Sequence, residues 1–222
     1  MYWQKYILAF VITALIFGTA FYIASRLNAQ RVSDIRASEN ALSTDLLSNE
    51  VQFELLGNTL DCETLQQSPI LADELNSLAS RLSVAENNLG SDNTEVVELK
   101  RQYSLLEIKD YLLLQQISKE CKEKPVYILY FYSNAGDCKD CSKEGDVLTY
   151  VRQQYPTLRV YSFDYHLQLS ALKTLIILRK VSSTLPAIMI NNRAPVYGFK
   201  NLEDIQKLTP ELKTLSTTTV IK

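Results

Sequence analysis

Hydrophobic and polar positions change their spacing twice along this chain. From residue 6 to residue 24 no position is charged. As a helix at roughly 1.5 Å per residue that run would reach about 28 Å, close to the thickness of a bilayer's hydrocarbon core. Tyr2, Trp3, Tyr6 and Tyr22 lie where interfacial aromatics would. The pattern predicts a single-pass transmembrane anchor over 1–25. A cleaved secretory signal is the alternative, since Lys5 precedes the run and Gly18-Thr19-Ala20 offers small residues, but Phe21-Tyr22-Ile23 carries the apolar stretch past that point.

From 26 to 122 the period becomes helical. Glycine occurs there only at 57 and 90, and proline only at 69. Leu71, Leu75, Leu78, Leu82, Ala85 and Leu89 alternate spacings of four and three, as the seam of a paired helix does. After a Gly90-Ser91-Asp92-Asn93 turn, Val96, Leu99, Tyr103, Leu106, Leu113 and Ile117 continue the stripe, with Asp110 as a polar break. A looser stripe runs through Val32, Ile35, Leu42, Leu46, Phe53 and Leu56. Three helices are expected, forming a hairpin or coiled-coil stalk through which copies of the chain could pair. Ser68 and Pro69 mark the start of the second helix as cap and first-turn proline.

The hairpin also places two cysteines. Cys62 and Cys121 are equidistant from the Gly90 to Asn93 turn, so both belong at its open end. They are expected to form a structural disulfide, two unrelated buried thiols being the alternative. Such a bond needs an oxidising compartment. That places the part after Arg26 outside the cytoplasm and overrides the contrary vote of Arg26, Arg31 and Arg36.

Past Lys122 the period changes again. Strands are expected over 126–132, 158–163, 187–190 and 195–199, and helices over 142–155 and 170–180 and through Leu202, Ile205 and Leu208. The order β, α, β, α, β, β, α implies a parallel pair joined by a crossover helix, then an antiparallel hairpin turning at Asn191-Asn192-Arg193. The domain is set at 123–210 and an uninformative tail at 211–222.

Chemistry concentrates at Cys138-Lys139-Asp140-Cys141, at the start of the first of these helices. Two thiols three positions apart can close or open a disulfide, and a helix N-terminus favours the thiolate. Asp137 and Asp140 oppose that thiolate by charge, whereas Lys139 supports it. Glu144, one turn on, is expected to be a solvated carboxylate, with a proton relay to Cys141 as the alternative. Cys138 and Cys141 also have the spacing of half a zinc site, but the lone histidine, His166, reads as a surface residue, and completion would need a second chain. The net charge of −2 over 222 residues argues against nucleic acid, and six scattered glycines form no phosphate loop.

Strand, Cys-x-x-Cys at a helix start, strand, helix, Leu185-Pro186, hairpin and last helix together resemble the thioredoxin fold, over roughly 125–208. The resemblance implies that Cys138 is the nucleophile and Cys141 the resolving thiol. It also implies that Pro186 is cis and lies against the disulfide, and that Leu185 offers its backbone to an extended substrate. Two positions depart from that pattern. Asp137 replaces the usual aromatic before the first cysteine, and Tyr132 stands where many members carry a buried acid.

The expected fold class is an α/β thioredoxin-like C-terminal domain preceded by a transmembrane helix and an α-helical hairpin or coiled-coil region. The expected function is that of a membrane-anchored, extracytoplasmic thiol-disulfide oxidoreductase acting on exported proteins. It would need no cofactor or metal and a separate redox donor or acceptor. A non-enzymatic envelope scaffold with a structural or vestigial Cys-x-x-Cys is the alternative.

Overall fold

The computed structural model describes residues 70–122 and 124–215 and, nearer the N-terminus, positions 3, 6, 7, 10, 12–19, 21, 22 and 54. Two compact units divide the chain, Met1–Leu56 and Gly57–Lys222. Among the described residues no helix is long and apolar enough to cross a membrane. The expected transmembrane anchor, and the single-pass membrane location built on it, are therefore withdrawn. Absence of charge over 6–24 was a criterion of composition alone, and it does not by itself give the length of continuous apolar helix that a span requires. The stripe from Val32 to Leu56, along with Cys62, Ser68 and Pro69, falls outside the described residues apart from position 54.

The second unit opens with the expected helix pair, α1 (Ile70–Leu89) and α2 (Thr94–Glu120). Gly90, at φ +84°, turns the chain out of α1, a conformation open to glycine at little cost. The Asn93 side chain then caps α2 by accepting from the Glu95 amide at 2.9 Å. Leu82, Val96 and Leu106 are buried, as the seam predicts, but Leu89 is exposed.

Next come β1 (Tyr127–Tyr132), α3 (Cys141–Gln154), β2 (Arg159–Asp164), α4 (Ser170–Arg179), β3 (Ala187–Ile190), β4 (Val196–Tyr197) and α5 (Leu202–Leu208). The sheet order is β2-β1-β3-β4, with β1 and β2 parallel and the other pairs antiparallel. Residues of β1 alternate between two cores. Tyr127, Leu129 and Phe131 pack with Phe163, Leu172, Leu175 and Met189, while Ile128 and Tyr130 pack with Leu148, Val151, Ile188 and Ile205. Burial on both faces is why this strand reads as a continuous apolar run. Two details differ from expectation. β4 is only Val196–Tyr197, because Gly198 at φ +75° bends the chain away. The expected loose tail begins instead with a 3₁₀ turn, Pro210–Thr214, that buries Leu212.

α2 does not stand clear as a stalk. Ile108 and Tyr111 belong to the same core as Phe131 and Phe163. The Tyr111 ring meets those of Tyr127 and Tyr161 edge-on at 5.4 and 5.9 Å and receives the Arg179 guanidinium over its face at 5.3 Å. Asp110 accepts the Tyr161 hydroxyl at 2.6 Å, and Glu107 accepts the Ser162 amide at 2.9 Å. Ser162 belongs to the edge strand β2, so α2 covers an edge that would otherwise offer unpaired backbone. The coiled-coil description is not supported: α2 has a second buried face, on the sheet.

Candidate active site

β1 runs out at Tyr132 into the loop 133–140, and α3 begins at Cys141. This segment brings Cys138 and Cys141 into a disulfide with Cα atoms 5.5 Å apart. Cys138 is half-buried at the mouth of the loop and Cys141 is 5 % exposed. That asymmetry lets an incoming sulfur reach Cys138 and shields Cys141. The pair that the spacing suggested for zinc is thus engaged with itself, and among the described residues no three His, Cys, Asp or Glu side chains gather as a metal would need.

The start of α3 carries no side-chain cap. Asp140 occupies the cap position, yet its carboxylate is 2.9 Å from Lys143 Nζ rather than bonded to a first-turn amide. The first-turn N–H groups are left to stabilise negative charge placed before them, which favours a thiolate at Cys138 once the disulfide opens. Tyr130, from the middle of β1, donates its hydroxyl to the Cys141 carbonyl and ties the helix start to the sheet.

Leu185-Pro186 is a cis peptide bond, as the resemblance implied. Ala187 pairs with Phe131, so Pro186 stands at the end of β3 beside the exit of β1 into the cysteine loop. The Pro186 carbonyl accepts from the Gly198 amide at 2.8 Å. Leu185 is half-buried and Thr184 exposed. Cys138, Cys141, Leu185 and Pro186 therefore share one end of the sheet.

Cys121, at the C-terminal end of α2, is disulfide-bonded. Cys62, its expected partner, lies outside the described residues.

One expectation at this end of the sheet fails. Glu144 is fully buried rather than solvated. Its Oε2 accepts the Lys200 amide at 2.6 Å, while Oε1 is buried without a hydrogen-bond partner. Burial pushes its carboxyl above the usual range, against the Lys200 amide and charge, which lower it. The spacing from Cys141 marks Glu144 as an alternative proton relay, but nothing in the helical pattern indicates that it is buried. His166 is a surface residue, as expected, and its Nε2 lies 2.8 Å from Asp137 Oδ2, next to Cys138, a partnership the sequence does not indicate. Hydrogen bonds from Ser133, then His166, hold the Asp137 carboxyl below its usual range.

No family model matches the chain, and no curated protein matches it. Two solved structures are similar to part of it. One, described as the structure of a malarial protein, shares 18% identity, covers 40% of this chain and 97% of its own, and has a TM-score of 0.34. Thioredoxin O2 from Arabidopsis thaliana in the oxidized state shares 19% identity, with 39% of this chain and 74% of its own covered and a TM-score of 0.32. Neither likeness is close enough to carry a function across. The element order, the Cys138–Cys141 disulfide at a helix start and the cis Leu185-Pro186 bond give this unit a thioredoxin-like arrangement.

Proposed function

We propose that the chain is a thiol-disulfide oxidoreductase acting on protein thiols or disulfides through Cys138 and Cys141. The observation that carries this reading is the asymmetric disulfide, half-exposed at Cys138 and buried at Cys141, at a helix start without a side-chain cap. In the reducing direction the Cys138 thiolate attacks a substrate disulfide. One substrate sulfur bonds to Cys138, and the other leaves as a thiolate and takes up a proton. Cys141, deprotonated, then attacks the Cys138 sulfur, which releases the second substrate sulfur and leaves the pair oxidised. Two electrons have passed to the substrate, and a separate dithiol or small thiol must return them. The oxidising direction is the same sequence reversed.

Leu185 would hold the substrate backbone, its position at the start of β3 leaving it beside the cysteine loop. Glu144, three positions after Cys141 on α3, would take the Cys141 proton, since a carboxyl raised by burial exchanges protons nearer neutrality than a solvated one. Cys121 would pair with Cys62 as a structural bridge, and a peptide map of unreduced protein should recover the two in one linked fragment.

The test is the reduction potential of the Cys138–Cys141 pair, from equilibration with glutathione and mass-tagged alkylation, with Cys138→Ser as control. A potential between about −270 and −120 mV, the span of known exchange proteins, with Cys138 labelled first, is the expected result. A pair that stays oxidised under strong thiol pressure would make the bridge structural and end the enzyme reading.

A further inference from the structure

α2 brings an ion into the second unit that the catalytic reading has not used. Lys100 is only 4 % exposed, and its Nζ lies 2.8 Å from Glu86 of α1 and 3.9 Å from Asp164. A buried lysine is costly unless it is paired, so this placement calls for a reason. Asp164 ends β2 and pairs in register with Tyr132, the last residue before the cysteine loop. Its Oδ1 accepts the His166 amide at 3.1 Å, and its carbonyl accepts the Leu167 amide at 3.0 Å. Together these fix the turn that carries His166. The imidazole in turn meets Asp137, one residue from Cys138. Contacts thus run without a gap from the helical hairpin to the neighbour of the nucleophile.

We propose that the hairpin is part of the redox site, and that Lys100 is a positioning residue which holds Asp164 and, through the His166 turn, keeps Asp137 partnered beside Cys138. The inference rests on the thiol-exchange reading for its purpose but not for its measurement. Unpartnered, the Asp137 carboxylate would oppose a neighbouring thiolate. Partnered by His166, it opposes it less. Asp164 needs the lysine because burial pushes its carboxyl up, while the His166 amide and Lys100 pull it down. Besides Lys100, Glu86 of α1 and Glu107 of α2 act on this corner, both reaching Tyr132 electrostatically. On the cysteine loop and α3 the remaining charged groups are Lys139, Asp140, Lys143, Glu144, Asp146 and Arg152.

The experiment is a double-mutant cycle read at one sulfur. Lys100→Met is made together with Glu86→Gln, so that the cation leaves with its nearer anion and no extra buried charge is stranded. The reduced full-length chain is alkylated with iodoacetamide from pH 5 to 10, and Cys138 modification is followed by peptide mass. Expected is a rise in the Cys138 midpoint, giving alkylation at pH 7 slower by about threefold, the size of one screened charge nearby. In an Asp137→Asn background the same pair of changes should have no effect, because the carboxylate through which Lys100 acts is gone. The signal of the single histidine should shift in the NMR spectrum when Lys100 is replaced and keep its position in a Lys100→Arg control. An unchanged midpoint, or an equal slowing with and without Asp137, would overturn the proposal. Failure of thiol exchange itself would show in the glutathione equilibration and leave this titration readable.

Discussion

Glu107 and Glu144 are carboxylates withdrawn from water, and each keeps one firm backbone partner, the Ser162 amide at 2.9 Å and the Lys200 amide at 2.6 Å. Burial raises both carboxyl pKa values above the ordinary range. A carboxyl raised in the folded state binds more protons folded than unfolded. Its contribution is therefore favourable below the unfolded value of about 4.3 and is lost as pH climbs to the folded value, with no further change above it. Glu107→Gln and Glu144→Gln each retain an acceptor for the amide and remove the ionisation. Both variants should match the parent near pH 4 and exceed it in urea midpoint at pH 7; pH curves running parallel to the parent's would contradict the assignment. Glu144→Gln should also slow resolution of a mixed disulfide at Cys138 by at least about tenfold at pH 7 in a quenched-flow alkylation assay, as loss of a general base would. Glu107 is not recognisable from sequence, and Glu144 is marked there only by its spacing from Cys141, not as a buried group. A glutamate on a helix with polar neighbours reads as solvated, and only the arrival of a distant backbone amide, from position 162 or 200, makes it interior.

At the scale of elements, α2 separates what periodicity reveals from what it hides. The four-three spacing located α1, α2 and the turn between them, and a continuous apolar run located β1, which is buried on both faces, because such patterns are imposed by immediate neighbours. The second buried face of α2 carries Lys100, Ser104, Glu107 and Asp110, residues that by type belong in solvent. Of these only Asp110 stood out in the sequence, as a break in a stripe, and its reason, the Tyr161 hydroxyl, comes from β2. The cost of substitutions should follow the structure rather than the stripe. Leu89 is a seam position but 47% exposed, so Leu89→Ala should change stability by no more than about 0.5 kcal/mol. Tyr111, outside the stripe and 1% exposed among Tyr127, Tyr161 and Arg179, should cost about 3–5 kcal/mol on replacement by alanine. Equal losses at the two sites in chemical denaturation would restore the simple paired helix.

For the whole second unit, the question is whether hairpin and sheet unfold together. Three links join them across distant stretches of sequence. Ile108 and Tyr111 complete the core of Phe131 and Phe163, Glu107 covers the Ser162 amide on the sheet edge, and Lys100 reaches Asp164. Removing the hairpin would uncover a strand edge, an apolar sheet face and one end of the cysteine site at once, leaving surface that favours association over folding. A domain boundary near 123, where the hydrophobic period changes, is thus a boundary of pattern across which the core is continuous. Two expectations follow. Residues 123–222 expressed alone should aggregate or lack near-ultraviolet tyrosine dichroism, and hydrogen exchange in the intact chain should protect the amides of 104–113 to the same free energy as those of β1. A hairpin that opened by itself at lower free energy would exchange first, with β1 still protected. In that case the hairpin could act on Cys138 only while docked, and the cysteine titration would depend on how tightly it is held.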